Sequence, residues 1–231
     1  RAGRGFGRGR AASLAAGHRQ GLRMRRAVVK ARVVRTSRRP ASLGLHLRYL
    51  QREGVTRDGA RGRMFDAVGE ADPQAFAERC AEDRHHFRFI VSPDDAERLA
   101  DLKAYARDLM GQAEGDLGTR LDWIAVDHWN TGHPHLHILV RGRTEDGADL
   151  VISRDYISQG LRARAGALVE LELGPRTEQE IAARLAQQVD ADRWTDLDRS
   201  LVRRARGGLI DLRPARGLAP NGADQMAVAR L

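Results

Sequence analysis

Three imidazoles, His128, His135 and His137, are the side chains in this sequence whose types and spacing best suit chemistry. Half of the chain's eight histidines fall within the run HWNTGHPHLH at 128–137. Leu136, Ile138 and Val140 alternate with His135, His137 and Leu139, which is the period of a strand, so both histidines project from one face of a sheet. An apolar run from Trp123 to Val126 leads to His128, and Asn130, Thr131, Gly132 and Pro134 in between are hairpin-type turn residues. Antiparallel pairing of the two strands would bring His128 beside the other two and create a three-nitrogen metal site. Neutral imidazole suits Mn, Zn, Fe, Ni and Cu, and three protein ligands leave positions that a substrate oxygen could fill. The competing explanation is a solvated polar strand face without an ion. His133 precedes Pro134 just after the turn, and is expected to tune the site from outside the ligand set.

Tyr49, one of three tyrosines, is the second candidate. Its neighbours His46, Arg48, Arg52 and Arg57 make its surroundings strongly positive. Nearby cations favour phenolate and would hold a phosphate close to the hydroxyl. The alternative is an amphipathic helix residue whose ring packs while its hydroxyl reaches water.

Positioning these groups requires a sheet and at least one helix. Ala27 to Arg35, AVVKARVVR, is rich in β-branched residues and reads as the first strand. Pro40 fits a helix start with Ser37 and Ser42 as caps, and Leu43, Leu47 and Leu50 recur at helical spacing through Arg52. Val55 to Glu82 is turn-rich and reads as a surface excursion, with a short helix around Gln74 to Cys80. His85 to Ser92 alternates as a central strand, with Phe87, Phe89 and Val91 on one face and His86, Arg88 and Ile90 on the other. Pro93, Asp94 and Asp95 read as the start of a helix with Leu99, Leu102, Ala106, Leu109 and Met110 inward, fraying over Gly111 to Gly118. Leu150 to Ile152 is expected to add an edge strand, followed by a helix capped by Ser153. Thr177 and Glu180 form a capping box for a helix through Val189, and Arg193 to Arg206 reads as helical.

Length allows one main domain and a tail. Residues 1–26 are expected to be a disordered basic arm and 27–175 the main domain, followed by a helical extension at 176–206 and a linker or the start of a further domain at 207–231. The net charge of +9 is unevenly spread: no Asp or Glu precedes Glu53, whereas residues 1–52 carry 15 Lys or Arg. A basic arm on a mildly acidic body fits a polyanion, nucleic acid first, with counterion release supplying affinity. Cys80 is the lone cysteine and cannot form an internal disulfide, and no apolar run approaches membrane-spanning length. A cytoplasmic protein without membrane insertion is the expectation.

With an apolar strand ending in His128, the H-x6-H-x-H pattern through His135 and His137, and the upstream helix HLRYLQREG, the chain resembles the conjugative and mobilisation relaxases of the HUH endonuclease superfamily. These are named for a histidine, apolar residue, histidine triplet, here His135-Leu136-His137. The likeness covers roughly residues 27 to 175, with the tyrosine helix N-terminal to the three-histidine motif. It implies an α+β fold, a central antiparallel sheet flanked by helices with a ferredoxin-like core as in relaxases and replication initiators, and a helical C-terminal extension. It further implies Tyr49 as nucleophile on single-stranded transfer-origin DNA, and His128, His135 and His137 as ligands of a divalent metal, Mn or Mg in the first place and Zn as an option. Ser92, matching the family's middle motif, would help hold DNA, with Arg48, Arg52 and Arg88 as further DNA contacts. Apart from the resemblance, Asp127 is expected by its adjacency to His128 to orient an imidazole or activate the tyrosine, and His133 to act behind the ligands. Relaxosome accessory proteins and a coupling ATPase are the implied partners. Three other readings stay open, a rolling-circle replication initiator of the same superfamily, a non-catalytic DNA-binding accessory protein with a structural metal site, and a metal hydrolase acting on small phosphoesters.

Overall fold

The computed structural model describes residues 23–36, 41–205, 207, 209, 226, 227, 229 and 230. The basic arm up to residue 22, the expected cap Ser37 and helix start Pro40, the side chain of the other expected cap Ser42, and most of the linker from 207 onward lie outside the described residues. Two compact units emerge, Met24–Gly174 in one and Arg23 with the described part of Pro175–Leu231 in the other.

The first unit is α+β. Strands β1 (Ala27–Arg35), β2 (His85–Pro93), β3 (Trp123–His128) and β4 (His135–Arg141) form one antiparallel sheet in the order β1-β2-β4-β3. Alternation divides it into two faces. On one, Val29, Phe87, Phe89, Val91, Trp123, Ala125, Leu136, Ile138 and Val140 are buried under helices α3 (Leu102–Leu117) and α4 (Leu161–Leu173). On the other, Ile124, Val126 and Leu139 are covered by α1 (Ala41–Leu50) and α2 (Pro73–Arg79) through Leu43, Leu47, Leu50, Phe76 and Cys80. The β1 side of that second face is open: Val28, Lys30, Arg32 and Ile90 are exposed.

Residues 55–82 are not the surface excursion their turn residues imply. Val55, Met64, Phe65, Phe76 and Cys80 are all buried. Phe65 exchanges two backbone hydrogen bonds with Ala125, which covers the outer edge of β3, and its ring meets Trp123 edge-on at 6.1 Å. The turns bring isolated apolar residues inward, a pattern without periodicity.

The acids after β2 do not start a helix. The Asp94 carboxylate accepts the Arg26 amide at 2.9 Å, and Asp95, at φ +56°, pairs with the buried Arg25 guanidinium. Arg25 and Arg26, expected within the disordered arm, are thus held against the end of β2. A single 3-10 turn, Ala96–Arg98, follows. Asp101, whose carboxylate accepts the Lys103 amide, is the cap of α3. Nor does α3 fray over its glycines. It buries Leu109, Met110, Ala113 and Leu117, and such packing outweighs the cost of about 1 kcal/mol for each interior glycine. Gly118, at φ +64°, ends it.

Leu150 to Ile152 adds no strand. Arg143 bridges Asp149 across a tight turn, and the Leu150 amide donates to Gly142. Gly142 itself must lack a side chain, because a Cβ there would lie 1.9 Å from the His85 carbonyl oxygen. Ser153 caps the next helix, its hydroxyl accepting the Tyr156 amide, and a π turn at Tyr156–Gly160 leads into α4.

The second unit contains α5 (Glu178–Val189) and α6 (Asp196–Arg204), which bury Ile181, Leu185, Leu197 and Leu201 together. Thr177 with Glu180 and Thr195 with Asp198 form reciprocal capping boxes that satisfy both helix starts. The second helix is shorter than its pattern from Arg193 to Arg206 implies. Among the described residues no helix is long and apolar enough to cross a membrane.

Candidate metal centre

The β3–β4 register brings the histidines together. His128 pairs with His135, Val126 with His137, and all three imidazoles rise from the face that α1 covers. One ring nitrogen from each lies within 4.8 Å of the others, so the cluster could hold a metal ion. Ring centroids are 4.5 to 5.5 Å apart. His128 is 1% exposed, and His135 and His137 are half-buried.

Two of the rings are oriented from behind by backbone carbonyls. His128 Nε2 lies 2.8 Å from the Leu50 oxygen, and His135 Nδ1 lies 3.0 Å from the His133 oxygen. A carbonyl only accepts, so those nitrogens carry the protons, and a lone pair remains on the opposite nitrogen of each ring. This is the outer support that metal-bound imidazole characteristically has. His133 therefore contributes its carbonyl, while its side chain is exposed.

Burial holds the His137 imidazole down to about 3, helped by the charges of His128, His135, His46 and Arg52. The His128 ring is also lowered, by burial first, although its bond to Leu50 pulls the other way. Both rings are therefore neutral at neutral pH, the form that ligates a cation. The donor set is three nitrogens with no carboxylate. That set fits a divalent transition ion, and a bound cation would keep its full charge for an anionic substrate.

Helix α1 ends beside His128. Leu47 and Leu50 are buried against the sheet, and the Leu50 carbonyl that terminates the helix is the acceptor for His128. Tyr49, the preceding residue, is 62% exposed at the rim. The Arg52 guanidinium lies over its ring, 4.8 Å from the centroid. Arg48 is exposed one position earlier.

The remaining expected residues divide. Arg88 and Ser92 share the histidine face, Arg88 opposite Leu139 and Ser92 opposite Val28, with Ile90 between them opposite His137. Asp127 belongs to the opposite alternation of β3 and accepts the Trp129 indole at 2.6 Å, so it supports the hairpin rather than an imidazole. Trp129, next to His128 in the chain, is covered by the Arg57 guanidinium at 4.6 Å.

Two further histidines lie on this side of the sheet, and one of them, His46, is neutral rather than part of the positive surroundings expected for Tyr49. His86 is buried, accepts Arg88 Nε at 3.0 Å through Nε2, and leaves Nδ1 without a partner. His46, on α1, is held at about 4 by burial and by Arg88, as His86 is. The β2 alternation already put His86 on one face with Arg88; nothing in the spacing showed that His46 of α1 would come close enough to act on it. No protein-family model and no curated protein matches this chain.

Proposed function

We propose that the first unit is a metal-dependent DNA nicking and joining enzyme that cuts single-stranded transfer-origin DNA to initiate conjugative transfer. The observation that carries this reading is the hydrogen bond between Leu50 and His128. It ties the end of the tyrosine helix to the three-imidazole cluster, on one face of one sheet.

Tyr49 Oη attacks the phosphorus of the scissile phosphodiester, the bond to the 3′ oxygen breaks, and a phosphotyrosine ester on the 5′ end forms. The phenol proton leaves before or during attack, and the departing 3′ oxygen gains one. An ion held by His128, His135 and His137 would supply Lewis-acid charge to a non-bridging phosphate oxygen. The Arg52 guanidinium lies over the phenol ring, where its donors can meet a phosphate brought to the hydroxyl. Because one phosphoester replaces another, the step is near energy-neutral and can be reversed to rejoin the strand. Lys30, Arg32 and Arg88, farther along the same face of the sheet, offer phosphate contacts, and Ile90 an apolar one.

The test uses labelled single-stranded oligonucleotides tiled across the DNA flanking the protein's own gene, incubated with Mn²⁺. A labelled protein band that survives boiling in detergent is expected from the wild type and absent from Tyr49→Phe, with oligonucleotide binding retained. An adduct that persists in the variant removes Tyr49 from its role.

A further inference from the structure

On the open part of the histidine face, two local rules of sheet construction are broken side by side. Arg32 of β1 and Arg88 of β2 are direct cross-strand partners, and Lys30 lies two residues from Arg32 on the same face. Directly opposed side chains start about 5 Å apart, and like charges so placed destabilise a sheet. Among the described residues no carboxylate pairs with Lys30, Arg32 or Arg88. Burial, and after it the charge of Arg32, hold the Arg88 guanidinium below its usual basicity.

The second broken rule is at His86, the next residue of β2 on this face. His86 is 3% exposed, and its Nε2 accepts Arg88 Nε at 3.0 Å. The proton of this neutral ring is therefore on Nδ1, a buried donor with no partner. An acid in its place would neutralise Arg88, and an apolar residue would leave no orphaned donor. A histidine does neither: it fixes one edge of the guanidinium and leaves the remaining donors and the full charge available.

Conflicts of this kind persist where function needs them. A phosphate would relieve the first, because its oxygens accept from two guanidinium forks and its charge lies between theirs. The neighbouring residues suit a nucleic-acid strand. Ile90 is 37% exposed and Val28 50%, so apolar surface alternates with charge, as sugar and base alternate with phosphate. Ile90 stands opposite His137. Arg88 is thus about 7 Å along β2 and about 5 Å across from a member of the three-imidazole cluster. One or two extended nucleotides span that separation.

We propose that Arg32 and Arg88 form a clamp for one backbone phosphate of a single strand, close to but separate from the phosphate at the three imidazoles, with His86 as the positioning residue that aims Arg88. This rests on the nicking reading for the identity of the strand. The clamp itself needs no ion.

Fluorescence anisotropy in the presence of chelator follows binding of a labelled single-stranded oligonucleotide carrying the flanking sequence. Arg32→Gln and Arg88→Gln should each weaken binding about tenfold, the scale of one charge-assisted hydrogen bond. The double variant should lose clearly less than the product of the two, because both groups act on one phosphate. His86→Leu should match Arg88→Gln, and adding Arg88→Gln to it should cost little more; His86→Gln restores an acceptor and part of the affinity. A merely structural role for His86 would not be tied to Arg88 in this way. Arg32 is exposed, so Arg32→Gln tests the clamp even if the variants at His86 and Arg88 fail to fold. Replacing single phosphates of the oligonucleotide by uncharged methylphosphonate should weaken binding to the wild type at a position where Arg32→Gln is far less affected.

Arg32→Gln or Arg88→Gln binding as tightly as the wild type would overturn the proposal, as would a wild type that binds no strand. Fully multiplicative losses would mean two separate phosphates and no clamp. Dependence on both arginines for a labelled polyglutamate peptide, but not for the oligonucleotide, would make the partner a protein and also overturn it. If the arginine dependence holds and wild-type protein with Mn²⁺ forms no adduct, the nicking reading fails while the clamp stands.

Discussion

A donor set of three imidazoles without a carboxylate decides which ions His128, His135 and His137 can hold. Magnesium prefers oxygen ligands and surrenders water reluctantly, whereas Mn²⁺, Co²⁺ and Zn²⁺ accept imidazole, with affinity rising in about that order. The DNA-free protein should therefore bind Zn²⁺ and Co²⁺ more tightly than Mn²⁺, and Mg²⁺ weakest of all. This orders the Mn, Mg and Zn alternatives that the residue types leave open. Competition calorimetry gives the series, and equal affinity for Mg²⁺ and Mn²⁺ would count against nitrogen ligation. His135→Ala combined with His137→Ala should abolish binding of each ion at micromolar concentration. Both rings are half-buried polar groups, so the fold should tolerate the change better than it would at His128, which is buried under α1.

At the scale of elements, α1 is the part on which the proposed chemistry depends, and its hold on the sheet is apolar. Leu47 is 0% exposed and packs in the cluster with Ile124, Val126 and Leu139, the residues that share the ligands' face along β3 and β4. Leu47→Ala should cost about 2–5 kcal/mol, the range for a buried leucine whose site cannot collapse. Urea unfolding measures it. Adduct formation per folded molecule should fall as well, because the Leu50 carbonyl and Tyr49 are carried by the same helix. An unchanged rate in the folded fraction would mean that α1 does not position the nucleophile. The helix was visible in the spacing of Leu43, Leu47 and Leu50. Its seat was not, since a leucine stripe says only that something apolar lies beneath.

For the whole molecule, one face of the sheet concentrates proton-refusing histidines. His137 is held to about 3, and His46 and His86 to about 4, each chiefly by burial. Their pKa values in the folded protein lie below the unfolded value near 6.5, so unfolding takes up as many as three protons once the pH falls below about 6. These groups are neutral in both states above that pH and add no pH dependence there. Between about pH 6 and pH 3 to 4 the metal-free protein should lose stability progressively as the unfolded chain is protonated and the folded one is not. Thermal unfolding at a series of pH values checks the sign. A midpoint that is level or rising from pH 6.5 to 4.5 would contradict the burial of these rings.

Local pattern was enough to read the strands, α1, both ends of α5 and the three-histidine cluster. Alternation and capping chemistry act between near neighbours, and a strand pair closed by a short hairpin leaves little choice of register. Tertiary structure decided what pattern could not carry. Asp94 and Asp95 have the composition of a helix start, yet they close the end of β2 because Arg25 and Arg26 lead into the neighbouring strand β1 there. Val55, Met64 and Phe65 sit among turn residues, yet are buried because β3 offered an open edge. Asp127 stands beside a ligand in sequence and on the opposite face in space, since neighbouring strand residues point apart. The bond from His128 to Leu50 spans 78 residues. Only the packing of a helix onto a sheet brings such partners within hydrogen-bond reach, and the energy that does so is the burial of apolar area, which has no direction and leaves no mark in spacing.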